Sequence, residues 1–380
     1  MSQKWIWQSK VYPNFFYNEK DFQPILNDIQ ENNDKLNFIV SNNELNTIYL
    51  DFEINSLTNE IINSADIEGE TLRRKSVRES LRKKLDRKFD FLKDEHTTRQ
   101  SDNYANILLD TNLNKNPLSI ERLHGWHNCL FEGGYSSLYK INVASFRTDE
   151  MQVVSGGIGK EYVHYEAVLA KDICKNMQSF LDFCNTNTTN AYIKSAIAHL
   201  WFVIIHPYDD GNGRIARAIA DFLLPNNNIK LYSLSKEINS RKKEYYTILE
   251  KTNKFNESCD ISQWIKWHLS ITNLALKNTL KELNRLIFKT KFWDIFKDNN
   301  LNKNQQKFLN KILDIGIDSF QGNLNTDKYA SIAKVDLNTA TKEFNELCNL
   351  GCLIKNKNSN FTLSNNVKNK KNRIKKCCKK

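Results

Sequence analysis

The stretch His206 to Arg217, reading His-Pro-Tyr-Asp-Asp-Gly-Asn-Gly-Arg-Ile-Ala-Arg, restricts what this chain can fold into more than any other. Upstream, Ala191 to Ile205 is apolar nearly all round at helical spacing, so it predicts a buried helix. Pro207 then pushes His206 out of the helical conformation. Gly211 and Gly213 allow a tight turn without Cβ clashes, and a second helix opens at Arg-Ile-Ala-Arg-Ala-Ile-Ala-Asp-Phe-Leu-Leu. Helix, glycine loop and helix start together present bare N–H groups and the positive end of a helix dipole, which is an anion site.

The side chains suit a polyphosphate in that site. Arg214 and Arg217 lie three apart on one helical face and carry planar forks matched to phosphate oxygens. Asp210 adds a hard oxygen ligand for Mg2+. His206 adds a base whose unperturbed pKa lies near neutrality. Base, metal carboxylate, anion cradle and two arginines fit phosphoryl or nucleotidyl transfer. The plainer alternative is a helical core with a glycine hinge and two solvated arginines.

This stretch also closely resembles the signature of the Fic family, His-Pro-Phe-x-(Asp or Glu)-Gly-Asn-Gly-Arg-x-x-Arg, with Tyr208 in place of Phe as its one departure. The resemblance implies a mainly α Fic fold and transfer of AMP from Mg-ATP to a hydroxyl side chain of a protein target. His206 would deprotonate the target and Asp210 would hold Mg2+. Asn212 and Gly213, with their neighbours Gly211, Ile215 and Ala216, would cradle the α-phosphate. Arg214 and Arg217 would grip the β- and γ-phosphates. Kinase-like relatives of the fold carry Lys where Gly213 stands, so the intact Asn212-Gly213-Arg214 run favours nucleotidyl transfer. Removal of AMP from a modified protein needs the same residues and stays open at this stage.

Leu57, Ile61, Ile62, Ala65 and Ile67 fall at helical spacing, and Gly69 ends or bends that helix. Glu68 near a helix C-terminus opposes the dipole and therefore calls for a cationic partner. Ser64 to Gly69 is similar to the inhibitory motif of Fic proteins, Ser/Thr-x-x-x-Glu-Gly/Asn. That similarity implies self-inhibition in which Ser64, Glu68 and Gly69 form the lock and Glu68 pairs with Arg217. A solvated Glu at a helix end is the alternative.

Four segments are expected: an N-terminal module over 1–97 with its inhibitory helix at about 57–69, a catalytic domain over 98–290, a winged-helix-like domain over 300–365 and a basic disordered tail over 366–380. The aromatics Trp5, Trp7, Phe15, Phe16 and Tyr17 need a buried home, expected as a small layer on the next domain. The basic run from Arg73 to Lys88 reads as one solvated helical face. His124 and His127, three apart on a helix over 120–131, read as packing histidines, because no further ligand stands nearby. Two β-prone runs, Val153-Val154-Ser155-Gly156-Gly157 and Tyr162-Val163-His164-Tyr165, predict a hairpin. In Fic proteins such a flap aligns an extended target segment, with Val163 and His164 as candidates here. Tyr245, Tyr246 and Asn253 resemble the family stretch bordering the nucleoside, although tyrosines in a helix also serve as core. Helices over 305–315, 326–333 and 337–350 followed by strands over 351–363 outline a winged helix. Its third helix sets Lys342 against Glu343 and Glu346, where a DNA reader would be basic. A nucleotide-sensing regulator acting through this domain is nevertheless a competing reading.

The net charge of +11 does not alter this, because eight Lys or Arg and no acid follow Asn366, leaving +3 for the rest. Eight cysteines without a C-x-x-C pair read as free thiols of a reducing compartment. The longest apolar run is far too short to span a bilayer. A cytoplasmic enzyme with no membrane role, possible pairing into a homodimer and little call on nucleic acid is the expectation.

Overall fold

The computed structural model describes residues 4–41, 49–86, 96–156, 160, 162–225, 230–316, 323–355 and 361–364. The expected tail over 366–380 lies outside the described residues, as do Gly157 of the flap turn and Arg87 and Lys88 of the basic run. The order begins α1 (Gln23–Ser41), α2 (Tyr49–Ile67), α3 (Arg74–Leu85), α4 (Arg99–Leu113) and α5 (Ile120–Leu130). Two hairpins follow, β1 (Tyr135–Ser136) with β2 (Tyr139–Lys140) and β3 (Gln152–Ser155) with β4 (Tyr162–Glu166). Helices α6 (Ile173–Thr186), α7 (Ala191–Ile205), α8 (Asn212–Leu223), α9 (Leu234–Ser240), α10 (Lys242–Asn253) and α11 (Ser262–Phe296) come next. The chain continues through α12 (Lys303–Ile315), α13 (Thr326–Ala333), α14 (Leu337–Asn349), β5 (Leu353–Lys355) and β6 (Phe361–Leu363). It divides into two units, Met1–Thr279 and Leu280–Lys380, and the division falls inside α11.

The first unit is built around α7, whose all-round apolar sequence buries Ile193, Ala196, Ala198, Leu200, Phe202 and Ile205. Its neighbours are α5, α6 and α8, through Trp126, Phe180 and Ile219 among others. Two polar ties set its position. Trp264 of α11 donates to the Ala196 carbonyl at 2.7 Å, and Ser195 donates to the Ala220 carbonyl of α8 at 2.7 Å.

Helix α2 packs Ile54, Leu57, Ile61 and Ala65 against Val77 and Leu81 of α3 and Tyr104, Ala105 and Leu108 of α4. The basic run keeps a solvated face, with Arg73, Arg74, Lys75 and Lys84 exposed, while Arg78 and Arg82 of α3 both reach Asp51 of α2, at 2.8 and 2.7 Å, and Arg74 reaches Asn59 at 2.8 Å. Helix α2 ends in a turn closed by Gly69 N–H to Asp66 O and Glu70 N–H to Ala65 O, each 3.0 Å. This 6→1 and 5→2 pairing is a Schellman motif, and Gly69 at φ +80° supplies the left-handed residue it requires.

The N-terminal aromatics pack within this same unit. Trp5 and Trp7 donate to Glu166 at the foot of β4, at 3.1 and 2.8 Å, and Trp201 of α7 donates to Tyr12 at 3.0 Å. The second unit encloses Phe292, Phe308, Tyr329 and Phe344 in its own core. Its three helices and antiparallel β5–β6 pair follow the order read from the sequence. Glu343 faces inward and accepts from Tyr329 at 2.9 Å and Asn302 at 2.6 Å. No helix among the described residues is long and apolar enough to cross a membrane.

Helix α8 is fixed at its far end by a buried ion pair between Asp221 and Lys230, which are 2% and 3% exposed. Asn112 of α4 bridges it, donating to Asp221 at 3.3 Å and accepting from the Lys230 N–H at 3.1 Å. Removing one partner strands the other charge. Lys230→Met is therefore expected to lower the unfolding free energy by about 3–5 kcal/mol in denaturant titration, and Lys230→Met with Asp221→Leu to recover most of that loss.

Candidate functional site

The site begins where α7 stops. His206 takes a left-handed backbone, φ 50° and ψ 59°, which a residue with a Cβ adopts only where its surroundings enforce it. Its ring Nδ1 lies 3.3 Å from the Val203 carbonyl. A carbonyl only accepts, so Nδ1 carries the proton and Nε2 offers its lone pair. Burial pulls the imidazole pKa down to about 4, and the positive charge of Arg147 adds to the effect. The residue is thus a neutral base at neutral pH.

Loop 207–212 is held by its own side chains. Asn212 accepts from the Tyr208 N–H at 3.0 Å and donates to the Tyr208 carbonyl at 2.7 Å. The Tyr208 ring is fully buried, stacks on His127 at 4.2 Å and 15°, and pairs its hydroxyl with His124 Nδ1 at 2.9 Å. The departure from Phe therefore brings a buried hydroxyl together with its partner. His127 faces the Asp210 carbonyl through Nε2 at 3.2 Å and accepts from the Ala144 N–H through Nδ1 at 3.2 Å. Both histidines are loop supports. Gly211 sits at φ +80°, where a side chain would be strained and its Cβ would meet the Phe131 ring at 2.7 Å.

Helix α8 starts at Asn212 and aims its free N–H groups into the site. Arg217 on its second turn is 2% exposed and pairs with Glu68 Oε1 at 2.8 Å. It also donates to the Ser64 hydroxyl at 3.0 Å and the Ser64 carbonyl at 2.8 Å. A Cβ on Gly213 would collide with the Glu68 carboxylate, so Glu68 rests directly on the helix start. A carboxylate there stands where the sequence calls for a phosphate.

Arg214 carries a second carboxylate that the sequence reading missed. Glu70 binds it at 2.7 Å and is itself held by Tyr104 and Gln100. Tyr104 also contacts Arg214, at 3.1 Å, and the Phe131 ring lies 4.8 Å beneath the guanidinium. The only signal in the sequence was an acid two places past Glu68. Asp210 is the more open of the site's acids, 43% exposed. It accepts from the Gly211 N–H at 2.5 Å and from Ser136 of β1, and it stands 3.5 Å from Arg214. The hairpin bearing Ser136 was not foreseen either.

The remaining candidates fall on both sides of the site. Tyr246 donates to the Ile67 carbonyl at 3.0 Å, next to the Glu68 turn. Tyr245 is turned into the core, 2% exposed, with His199 as its partner at 3.0 Å, and Asn253 is 3% exposed. Both therefore lie inside the packing and not on the open side. On the flap, Val163 pairs with Val154 across the hairpin. His164 lies 3.2 Å from Glu250 of α10 and 2.6 Å from Ser155.

A divalent cation fits only in one style. Among the described residues no group of three His, Cys, Asp or Glu side chains could hold a metal ion. Asp210 alone offers an open carboxylate beside the anion cradle, which is how Mg2+ is held when phosphates and water supply its other ligands.

Residues 117–224 match the model of the Fic/DOC family, and residues 5–86 match a domain of unknown function, DUF4172. A solved structure of a Fic family protein from Desulfovibrio desulfuricans G20 superposes with a TM-score of 0.56 at 16% identity, covering 93% of this chain and 99% of its own. A Fic domain containing signaling protein from Bacteroides thetaiotaomicron VPI-5482 gives 0.52 at 18% identity, covering 69% of this chain and 97% of its own. The fold is shared with both.

A polyphosphate held by Arg214 would have to displace or share the Glu70 carboxylate. Glu70→Gln keeps the shape and removes the charge, so calorimetry with inorganic tripolyphosphate is expected to show about tenfold tighter binding. Arg214→Ala is expected to weaken it by at least about 1.5 kcal/mol, the scale of a charged hydrogen bond.

Proposed function

The chain belongs to the Fic family, and from that premise we propose that it transfers AMP from Mg-ATP to a hydroxyl side chain (Ser, Thr or Tyr) of a protein target, and that it is self-inhibited. The observation that carries this reading is the neutral imidazole of His206 set beside the arginine-bearing start of α8 on one short loop. Fic proteins generally modify proteins by nucleotidyl transfer.

The target hydroxyl gives its proton to His206 Nε2 and its oxygen bonds to the α-phosphorus. The bond from that phosphorus to the bridging oxygen breaks, and pyrophosphate leaves with the electron pair. The N–H groups at the start of α8 stabilise the α-phosphate. Arg214 and Arg217 hold the charge of the leaving group. Asp210 would hold Mg2+, which when bound neutralises part of the phosphate charge. Burial keeps His206 unprotonated, so the base is ready without a partner carboxylate.

Self-inhibition follows from competition. While Glu68 occupies Arg217, the γ-phosphate lacks its partner, and the α-phosphate is out of line with the hydroxyl. Positioning dominates such reactions, and small misplacement costs about 100-fold. Glu68→Gly should therefore raise labelling of protein by labelled ATP strongly, with little change in ATP affinity. Arg217→Ala should stay inactive with or without Glu68, since the grip leaves with the lock.

His206→Ala in the Glu68→Gly background should cut transfer by about 100- to 10,000-fold. Equal labelling with and without His206 would overturn the assignment. The pH profile of kcat/KM gives a second check. A lowered pKa keeps the base competent down the acid side, so activity should fall as pH drops through about 4 and hold steady near 6.5.

A further inference from the structure

Arg147 is 3% exposed and has no carboxylate among its hydrogen-bond partners. Its donors go to carbonyls instead. Nε–H donates to the His206 carbonyl at 2.8 Å, and Nη2 to the Ile205 carbonyl at 3.5 Å and the Val168 carbonyl at 2.5 Å. Nη1 donates to the Asp149 carbonyl at 2.6 Å. Its own backbone N–H donates to the Pro207 carbonyl at 2.9 Å. Tyr165 of β4, 3% exposed, donates to the Ile204 carbonyl at 2.7 Å. Four consecutive carbonyls, 204 to 207, are thus bound from the flap side.

Two physical consequences follow. The carbonyls ending α7 lack intrahelical donors and lie at the negative end of its dipole, so a buried cation is favoured there. The partners of Arg147 also fall into two sets, the last turn and loop around His206, and the two feet of the flap. Asp149 precedes β3 and Val168 follows β4. Only a guanidinium, with five donors in a rigid fork, reaches both sets at once.

We propose that Arg147 is a positioning residue that holds His206 in its left-handed conformation and couples the catalytic base to the feet of the flap. This rests on the reading of His206 as the base for AMP transfer. Arg147 touches neither nucleotide nor target; it acts by fixing the backbone from which the imidazole projects. With the backbone released, His206 can leave the left-handed region, Nδ1 loses Val203, and Nε2 no longer points where the hydroxyl arrives.

The test uses the full chain carrying Glu68→Gly, with Arg147→Met, Arg147→Lys, His206→Ala and the Arg147→Met/His206→Ala pair. Thermal melts establish folding, and Arg147→Lys, which retains the charge, serves if the Met variant does not fold. Expected are a fall in transfer of at least about 100-fold for Met with ATP affinity within threefold, and partial recovery for Lys. The double variant should be no slower than His206→Ala alone, because both changes act through one group. Multiplied losses in the double variant, or ATP affinity falling in step with rate, would overturn the proposal. Nitrogen-labelled histidine NMR supplies a readout that needs no activity. The His206 Nδ1–H tautomer should dominate in the parent and give way to a mixture in the Arg147 variants. If the parent labels nothing, the AMP-transfer reading fails, while an unchanged tautomer in the variants still sinks the positioning role.

Discussion

Two helices end at one loop with opposite polarity, and the rest of the site answers that arrangement. Helix α7 arrives with unsatisfied carbonyls and α8 leaves with unsatisfied N–H groups, so a few residues must serve both a cation and an anion. The cation is Arg147, set under the loop. On the other side lies an anion, and in this structure it is Glu68. The burial of α7 on all sides leaves the loop no freedom to dissipate either demand by moving into solvent.

The turn after α2 exploits this. A Schellman motif fixes the direction of the chain at Gly69, so Glu68 just before it and Glu70 just after it are aimed by backbone hydrogen bonds at two arginines one helical turn apart. The carboxylates differ in support. Glu68 rests on the helix start, whereas Glu70 is gripped by Tyr104 and Gln100. Loss of the first contact therefore does not dissolve the second.

The turn inside the twelve-residue stretch was readable because its residues answer local demands: Pro207 stops a helix, Gly211 takes a left-handed turn, and a second helix starts at Asn212. The Glu68 to Arg217 pair was readable from a motif, not from physics, since the 148 residues between them carry no trace of contact. The mainly helical fold was implied by the family resemblance, while periodicity gave individual helices such as α2 and α7, and two β-prone runs gave β3–β4. What escaped notice was set by tertiary contact alone. Arg147 looks like any surface arginine until four carbonyls converge on it. Tyr245 could not be told from Tyr246 by pattern; tertiary contacts with His199, Trp264 and Trp267 turn it inward. The β1–β2 pair is too short to show alternation.

The contacts of the N-terminal aromatics bear on the order of folding. Trp5 bridges to Lys254, Ser9 donates to the Glu257 carbonyl and Phe16 bridges to Asp260, so a segment made early closes against one made late in the same unit. A ribosome adding 5–20 residues each second needs roughly 12–50 s to span that gap. For the first part of that interval Trp5 and Trp7 have no Glu166 to bind, because the middle of the chain has not yet been made. Until then the two indole rings are uncovered, and the flap acquires its outer brace only when Trp5 and Trp7 reach Glu166.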